Sequence, residues 1–329
     1  MRGSGVQLSM SGLMLCAAVA LIPDCSTAQT PAYPVRPVRF IVPSTPAGPN
    51  DVLTRLIAER LTPVLGQQII VDNRAGAGGR IALEIASKAA PDGYTFFLGS
   101  QAHLTVHPVL YRLPYDIAQD FAPVVLVGRV RYLLLAHPSV PAGTLKDLLN
   151  LLRSRPGKLN YASVGAGTTS HIVGELFKKV ARVDIVHVPY KVAGPAYTDL
   201  ISGQVQLMFA SPLAVSQYIR TGQLKAIAIA APRRSGLFPE IRTFEEAGLP
   251  DFEGSAWWAV MTRAGVPSQI VTRLNGEINR ILRSPQLKER LAVLDVEPVG
   301  GSPGELATYL NSERAKWAKV IKDAGIVVE

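Results

Sequence analysis

The sequence predicts an α/β protein divided into two lobes, with helices packed on mostly parallel sheets. Short apolar runs alternate with amphipathic ones along most of the chain, as strands and helices taken in turn do. Several strand candidates are apolar on both faces, the mark of buried parallel strands. The 329 residues, 48% hydrophobic and 18% charged, also exceed the length at which one core usually divides.

Residues 1–28 read as a secretory signal peptide. Arg2 lies in a short polar opening, LMLCAAVALI (13–22) is apolar, and Ser26 and Ala28 are small residues ahead of a cut. The run is too short to span a bilayer, and Pro23, Asp24 and the polar residues after them end it abruptly. A buried N-terminal helix is one alternative. A lipid anchor is another, but it needs a small residue before the modified cysteine, where Leu15 and Asp24 stand. Both cysteines, Cys16 and Cys25, fall in this segment, so a chain cut after Ala28 forms no disulfide. The formal charge of +9 is unchanged by the cut, which removes Arg2 and Asp24 together. The basic residues are scattered, in pairs such as Lys178-Lys179 and Arg233-Arg234, without a dense block or aromatic stripe. With export, that pattern excludes nucleic acid and favours anionic solutes.

The strand candidates are VRFIV (38–42), QIIV (68–71), TFFLG (95–99), YLLLA (132–136), LNYAS (159–163), DIVHV (184–188), VQLMF (205–209) and LKAIAIA (224–230). Helical spacing links Leu53, Leu56, Ile57, Leu61 and Val64, and again Ile172, Val173, Leu176, Phe177 and Val180. Ile270, Val271, Leu274, Ile278 and Ile281 mark a long helix, and Leu306, Tyr309, Leu310, Trp317 and Ile321 another. Ser302 and Glu305 open the latter as a capping box around Pro303. FAPVVLVGRVRY (121–132) and PDFEGSAWWAVM (250–261) are strand-like connections suited to crossing between lobes.

The chemistry turns on SVGAGTTSH (163–171). It supplies Gly165 and Gly167 but has Ser170 at the third dinucleotide glycine, and AGAGG (75–79) has Ile81 there. Tyr161 stands where a nucleophile elbow around Ser163 needs glycine. His103 and His107 have metal-ligand spacing, yet Leu104 replaces the glutamate of the zinc motif and Pro108 follows. Ordinary hydrogen-bonded or surface histidines are therefore expected.

What remains is a helix start. Unpaired amides and a partial positive charge, with the hydroxyls of Thr168, Thr169 and Ser170, make an anion site. Self-capping by Thr168 or Thr169 is the alternative. VPSTPAGPND (42–51) repeats the design: a strand end, a turn around Gly48, then Asn50 or Asp51 opening a helix. Two such starts facing each other would pinch a small anion, with Asp51 capping its own helix.

Taken together, PVRFIVPSTPAGPNDVLTRLIAERL, VDNRAGAGGRIALEIASKAAPDGYTFFLGS, LPYDIAQDFAPV and the segment from PGKLNYASVGAGTTSH to ISGQVQLMF resemble the Bug-type solute receptors. These are the periplasmic substrate-binding components of tripartite tricarboxylate transporters. The resemblance runs from about Tyr33 to the C-terminus. It implies a two-lobed periplasmic binding protein fold, a type II-like Venus flytrap with two crossover segments. Lobe 1 is then 31–128 plus 256–329, and lobe 2 is 129–255. It further implies a small carboxylate ligand, no catalysis, cofactor or metal, a monomer in the periplasm, and a membrane permease as partner. Carried onto this chain, the binding residues are Ser44, Ala47, Gly48, Asn50 and Asp51 in the first loop and Ser100 and Gln101 in the second. The third is Gly167, Thr168, Thr169, Ser170 and His171, with Tyr190, Lys191, Ala210 and Ser211 nearby.

The chain departs from the family pattern at Ser44, where an aromatic is common, at Ala47 in place of glycine, and at Ala210 in place of an aspartate. Trp257 and Trp258 line the hinge or simply fill core. Two further readings stay open: a secreted hydrolase, which requires a Ser-His pair within hydrogen-bond reach, and a receptor serving sensing rather than uptake.

Overall fold

The computed structural model describes Met1, Gly3, Gly5 and residues 33–326, apart from Pro232, Asp251, Glu253 and Ala324. The expected signal peptide and both cysteines thus lie outside the described residues, save for those three positions at its start.

In chain order the strands are β1 (Val38–Val42), β2 (Ile69–Asn73), β3 (Thr95–Ser100), β4 (Phe121–Val130), β5 (Tyr132–Ala136), β6 (Asn160–Ser163), β7 (Val186–Pro189), β8 (Leu207–Ala210), β9 (Lys225–Ala230), β10 (Ala256–Arg263) and β11 (Val296–Gly300). They form two sheets, ordered β11-β4-β10-β3-β1-β2 and β7-β6-β8-β5-β9. The helices are α1 (Pro49–Leu65), α2 (Arg80–Ser87), α3 (His107–Leu110), α4 (Leu145–Ser154), α5 (Thr169–Ala181), α6 (Ala193–Ile201), α7 (Pro212–Arg220), α8 (Ser268–Arg283), α9 (Pro285–Val293) and α10 (Pro303–Asp323).

Parallel pairing holds for only part of each sheet. β1 runs parallel to β2 and β3, and β6 to β7 and β8. β10 is antiparallel to β3 and β4, β11 to β4, and β5 to β8 and β9. The reason is traffic between the sheets. β4 ends at Val130 and β5 begins the second sheet at Tyr132, so β5 enters running opposite to β8. β10 brings the chain back into the first sheet in the same reversed sense. The segment 121–132 holds β4 and the first residue of β5, while of 250–261 only the part from Ala256 is strand, in β10.

Each sheet is covered on both faces. α1, α8 and α9 bury Leu53, Ile57, Leu274, Ile278 and Leu287 on one face of the first sheet, and Leu83, Leu306 and Leu310 cover the other. In the second, Leu148, Leu152, Ile172 and Phe177 lie on one face and Ala196, Leu200 and Val215 on the other. Trp257 and Trp258, adjacent on β10, point to opposite faces and into different core clusters.

α10 begins with the predicted capping box: the Glu305 amide donates to Ser302 Oγ (3.2 Å) and the Ser302 amide to Glu305 Oε2 (2.6 Å). Its first turns pack Leu306 and Leu310 on the first sheet, and its last turns pack Trp317, Val320 and Ile321 on the second. Midway, buried Glu313 accepts through Oε2 from Trp257 Nε1 (2.9 Å) and Trp317 Nε1 (3.0 Å). Gln101 offers Trp317 a second acceptor at 2.6 Å.

His103 and His107 lie on successive helical turns with ring centroids 5.4 Å apart. His103 is fully engaged, with Nδ1 2.8 Å from Ser100 Oγ and Nε2 3.0 Å from the Gly78 carbonyl. No group of three or more potential ligands able to hold a metal occurs among the described residues. Burial holds His103 down to about 4 and His107, with His103 and Arg80 adding to the effect, down to about 3.

Two expectations follow from these buried polar groups. Glu313→Leu leaves the Trp257 indole without an acceptor and lowers unfolding free energy by about 1 to 3 kcal/mol. Glu313→Gln, which keeps an oxygen there, costs less; urea denaturation of both measures the difference. Because the unfolded histidines titrate near 6.5 and the folded rings lower, their contribution is complete above about 6.5 and is lost as pH falls toward 4. Stability at pH 5 is therefore about 2 kcal/mol lower per buried ring than at pH 7, and pH-independent urea midpoints over that range would contradict neutral rings.

Candidate functional site

Topology alone gathers helix starts. β6, β7 and β8 are parallel neighbours, and α5, α6 and α7 follow them, so three helix N-termini share one sheet edge. In the first sheet α1 follows β1 in the same way, after a six-residue turn. The carboxyl ends of parallel strands are where open α/β sheets bind ligands.

The loop before α5 is wired by its own side chains. Thr168 is the N-cap, yet it makes no side-chain cap bond; its hydroxyl donates instead to the Gly165 carbonyl at 2.6 Å. Ser170 Oγ accepts from the Val164 amide (3.1 Å), and His171 Nδ1 accepts from the Gly167 amide (3.0 Å). Self-capping by Thr168 is thus not what the geometry contains. The amides of Thr169, Ser170 and His171 make no hydrogen bond among the described residues. Gly167 holds φ +74°, and a Cβ there would sit 3.3 Å from both Leu110 and the Tyr111 hydroxyl. This close approach ties the α5 loop to the end of α3 across the two sheets.

Behind the loop, the His171 ring stacks on His187 at 4.1 Å, and His187 stacks on Tyr161 at 4.8 Å. Burial depresses both histidines, His187 to about 3, with the His171 and Lys178 charges adding to it. His187 Nε2 lies 2.6 Å from Ser163 Oγ, the spacing a hydrolase needs. Ser163, however, is fully buried at 0% exposure, and its hydroxyl also bridges the Gly165 backbone. It is a loop brace, with no open face for a substrate.

The loop before α1 is built differently. Gly48 is the N-cap and Pro49 takes the first helical position. Asp51, 2% exposed, folds back to accept from the Ala47 amide (2.8 Å) and also receives Arg55 and Asn73 (each 3.0 Å). Burial raises its pKa, but the Arg55, Ala47 and Asn73 hydrogen bonds outweigh that and hold the carboxyl below its usual range. Asp51 thus braces the loop through its own carboxylate. Its grip holds Ala47 at φ +64°, a left-handed conformation that costs an alanine roughly 1 kcal/mol or more. Ser44 is half-buried, its carbonyl tied to Asn73 Nδ2 at 3.2 Å. Asn50 is buried and accepts Trp258 Nε1 at 2.6 Å.

The remaining predicted residues divide. Ser211, the N-cap of α7, lines one cavity with Pro49 of α1, which brings the two lobes' helix starts together. Ser100 ends β3 and is bound to His103. Gln101 is buried, its amide nitrogen 3.1 Å from the Ser255 carbonyl and its oxygen toward Trp317. Ala210 points into the core beside α7. Lys191 is exposed next to Tyr190, whose amide donates to the Ser163 carbonyl at 2.9 Å. Gln101, Asn50 and Ala210 are therefore buried and engaged with the protein itself.

Sequence reading passed over three contributors. Tyr132, the first residue of β5, lines the same cavity as Pro49 and Ser211 and interacts with Thr169. Tyr111 meets Gly167, and the Arg80 guanidinium lies 3.8 Å over the Tyr111 ring. The AGAGG loop, set aside as a failed nucleotide motif, places Gly78 and Gly79 against His107 and His103. Its position directly after β2 was the available signal.

Comparison with known proteins gives this geometry a context. Residues 53–326 match the model of the tripartite tricarboxylate transporter family receptor. Protein BugT of Bordetella pertussis is 37% identical over 295 residues, covering 89% of this chain and 90% of the relative. The solved structure of Rpa4515 from R. palustris with adipate is 37% identical, with a TM-score of 0.82 over 90% of this chain and 99% of that one. MatC from Rhodopseudomonas palustris with bound malate is 34% identical, with a TM-score of 0.77 over 88% and 100%. The shared architecture is the two-lobed periplasmic binding protein fold. On the family match and these relatives, the chain belongs to the receptor family of the tripartite tricarboxylate transporters.

Proposed function

We propose that this protein is an exported receptor that closes its two lobes on a small carboxylate and presents it to the permease of a tripartite transporter, without transforming it. The observation that carries the reading is the first turn of α5. Its Thr169, Ser170 and His171 amides lack partners among the described residues, and the hydroxyls that would have capped them are spent on shaping the loop. A carboxylate is the natural acceptor for such an arc, aided by the helix dipole. The start of α1 shares a cavity with the start of α7 through Pro49 and Ser211, and in this reading it closes on the ligand's other end. The adipate and malate found in two related structures fit this chemistry. Ligand contacts made only between closed lobes would stabilise the closed form. A monomer acting in the periplasm, with the N-terminal 28 residues as its signal peptide, completes the reading, as do lobes of 31–128 plus 256–329 and 129–255.

A panel of mono-, di- and tricarboxylates tests it by melting temperature and by X-ray scattering. A true ligand at a hundredfold excess over Kd stabilises the fold by about 2.7 kcal/mol and compacts it; silence across the whole panel would sink the proposal. Co-purification with permease-containing membranes checks the delivery step.

Amides and hydroxyls are separable. Thr169→Val keeps the amide but removes the partner of the Tyr132 hydroxyl, so carboxylate affinity falls less than tenfold while stability drops by about 1 to 2 kcal/mol. Gly167→Ala forces a strained φ and a Cβ against Tyr111, and affinity falls more than tenfold. The reverse ranking in calorimetric titrations would assign recognition to the hydroxyl.

A further inference from the structure

Between β4 and β5 the chain passes from the first sheet to the second at a single residue, Arg131. Neighbouring side chains part company there. Val130 and Tyr132 line the cavity that holds Pro49 and Ser211, and the Tyr132 hydroxyl interacts with Thr169 at the start of α5. Arg131 instead lines an open groove of about 510 Å³, on the other side of the crossover, as alternation along extended chain places it.

This groove is a seam between the lobes. One lip is Gly236 and Leu237, on the segment leaving β9, which packs Ala231 and Phe238 into a core cluster of the second sheet. The other lip is Val293 and Asp295, between α9 and β11, flanked by Leu291 and Val296 in a core cluster of the first. A buried hydrogen bond ties the lips: Ser235 Oγ donates to Asp295 Oδ1 at 2.8 Å, with Ser235 2% and Asp295 5% exposed. That tie is poorly supported. Asp295 Oδ2 has no hydrogen-bond partner among the described residues, and Arg131, on the same groove, is paired with Glu297 at 2.6 Å. Burial pushes the Asp295 carboxyl above its usual range, with Glu297 adding to the effect and the Ser235 hydrogen bond and Arg131 opposing it. Parting the lips returns the carboxyl to water, which offsets part of the lost bond.

We propose that this seam counterbalances the ligand cleft: Ser235 bonded to Asp295 draws the lobes together behind the crossover and holds the cleft in front of it open, and closure on a ligand parts the two residues. Ser235 and Asp295 are then positioning residues, which set the fraction of molecules able to close without touching the ligand. Apparent affinity is the intrinsic affinity reduced by that fraction. Weakening the seam therefore tightens binding from outside the cleft. The inference rests on the receptor reading and adds to it the groups that hold the open state.

Two variants of the intact protein test this. Gly236→Trp sets an indole between the lips, at a position where an added Cβ meets nothing within 4 Å; Ser235→Ala removes the bond itself. X-ray scattering without ligand should give a smaller radius of gyration for both, and calorimetry with adipate and with malate an affinity about three- to tenfold higher. Gly236→Ala, too small to wedge the lips, should match the unmodified protein. A merely structural role moves both readings the other way, toward a larger radius and weaker binding. With circular dichroism confirming the fold, an unchanged or larger radius in either variant overturns the proposal, as does unchanged or weaker affinity for an acid that the unmodified protein binds. If the unmodified protein binds no acid of the wider panel, the receptor reading fails by itself, and the ligand-free scattering still decides whether the seam holds the lobes apart.

Discussion

An α-helix cannot satisfy its own first amides, and this protein is organised around where it leaves them. Three parallel strands of one sheet and β1 of the other each hand the chain to a helix that starts at the facing edge. Some starts are capped by side chains, as Thr144 with Asp147 at α4, Ser284 at α9 and Ser302 with Glu305 at α10. At α5, as at α1, α6 and α7, no side chain caps the amides. Thr168 and Ser170 turn their oxygens to the loop's own backbone, and His171 reaches back to Gly167. The loop is thereby stiffened in a shape that leaves the amide arc unpaired, the arrangement a binding site requires if ordering it is not to consume the energy of binding.

The scaffold behind that arc is heavily braced. The stacked His171, His187 and Tyr161 rings back the loop, with Tyr161 donating to Glu175 at 2.6 Å. On the other lobe, Asp51 fixes Ala47 in a conformation that alanine does not choose. In both places a buried polar group positions backbone. Pre-organisation of this kind stores local strain at the site and offsets it with hydrogen bonds nearby.

Much of the fold was legible in the sequence because its signals are local. Apolar runs marked β1, β3, β5 and β9 nearly to the residue, and helical spacing marked α1, α5, α8 and α10. The Ser302–Glu305 capping box was readable as four residues. Strand direction was not, because an apolar run reads alike in both senses and only the chain's passage between sheets reverses β5 and β10. In the candidate site the glycines and hydroxyls of both loops could be picked out, but their roles could not. The backbone partners of Ser170 and Asp51 lie in the fold and not in the sequence around them. Tyr132 and Tyr111 looked like core or surface because their neighbours lie far away in sequence.

The helix α10 sets a mechanical limit on how this receptor can move. Its 21 residues form a rod about 31 Å long, with Leu306 and Leu310 bedded in one sheet's core and Trp317, Val320 and Ile321 in the other's. Prising the sheets far apart would bend the rod or pull an indole from a dry interior, whereas a small rotation about its axis does neither. The two sheets are thus spliced by a single stiff helix that resists their wide separation more than a shallow turn about its axis.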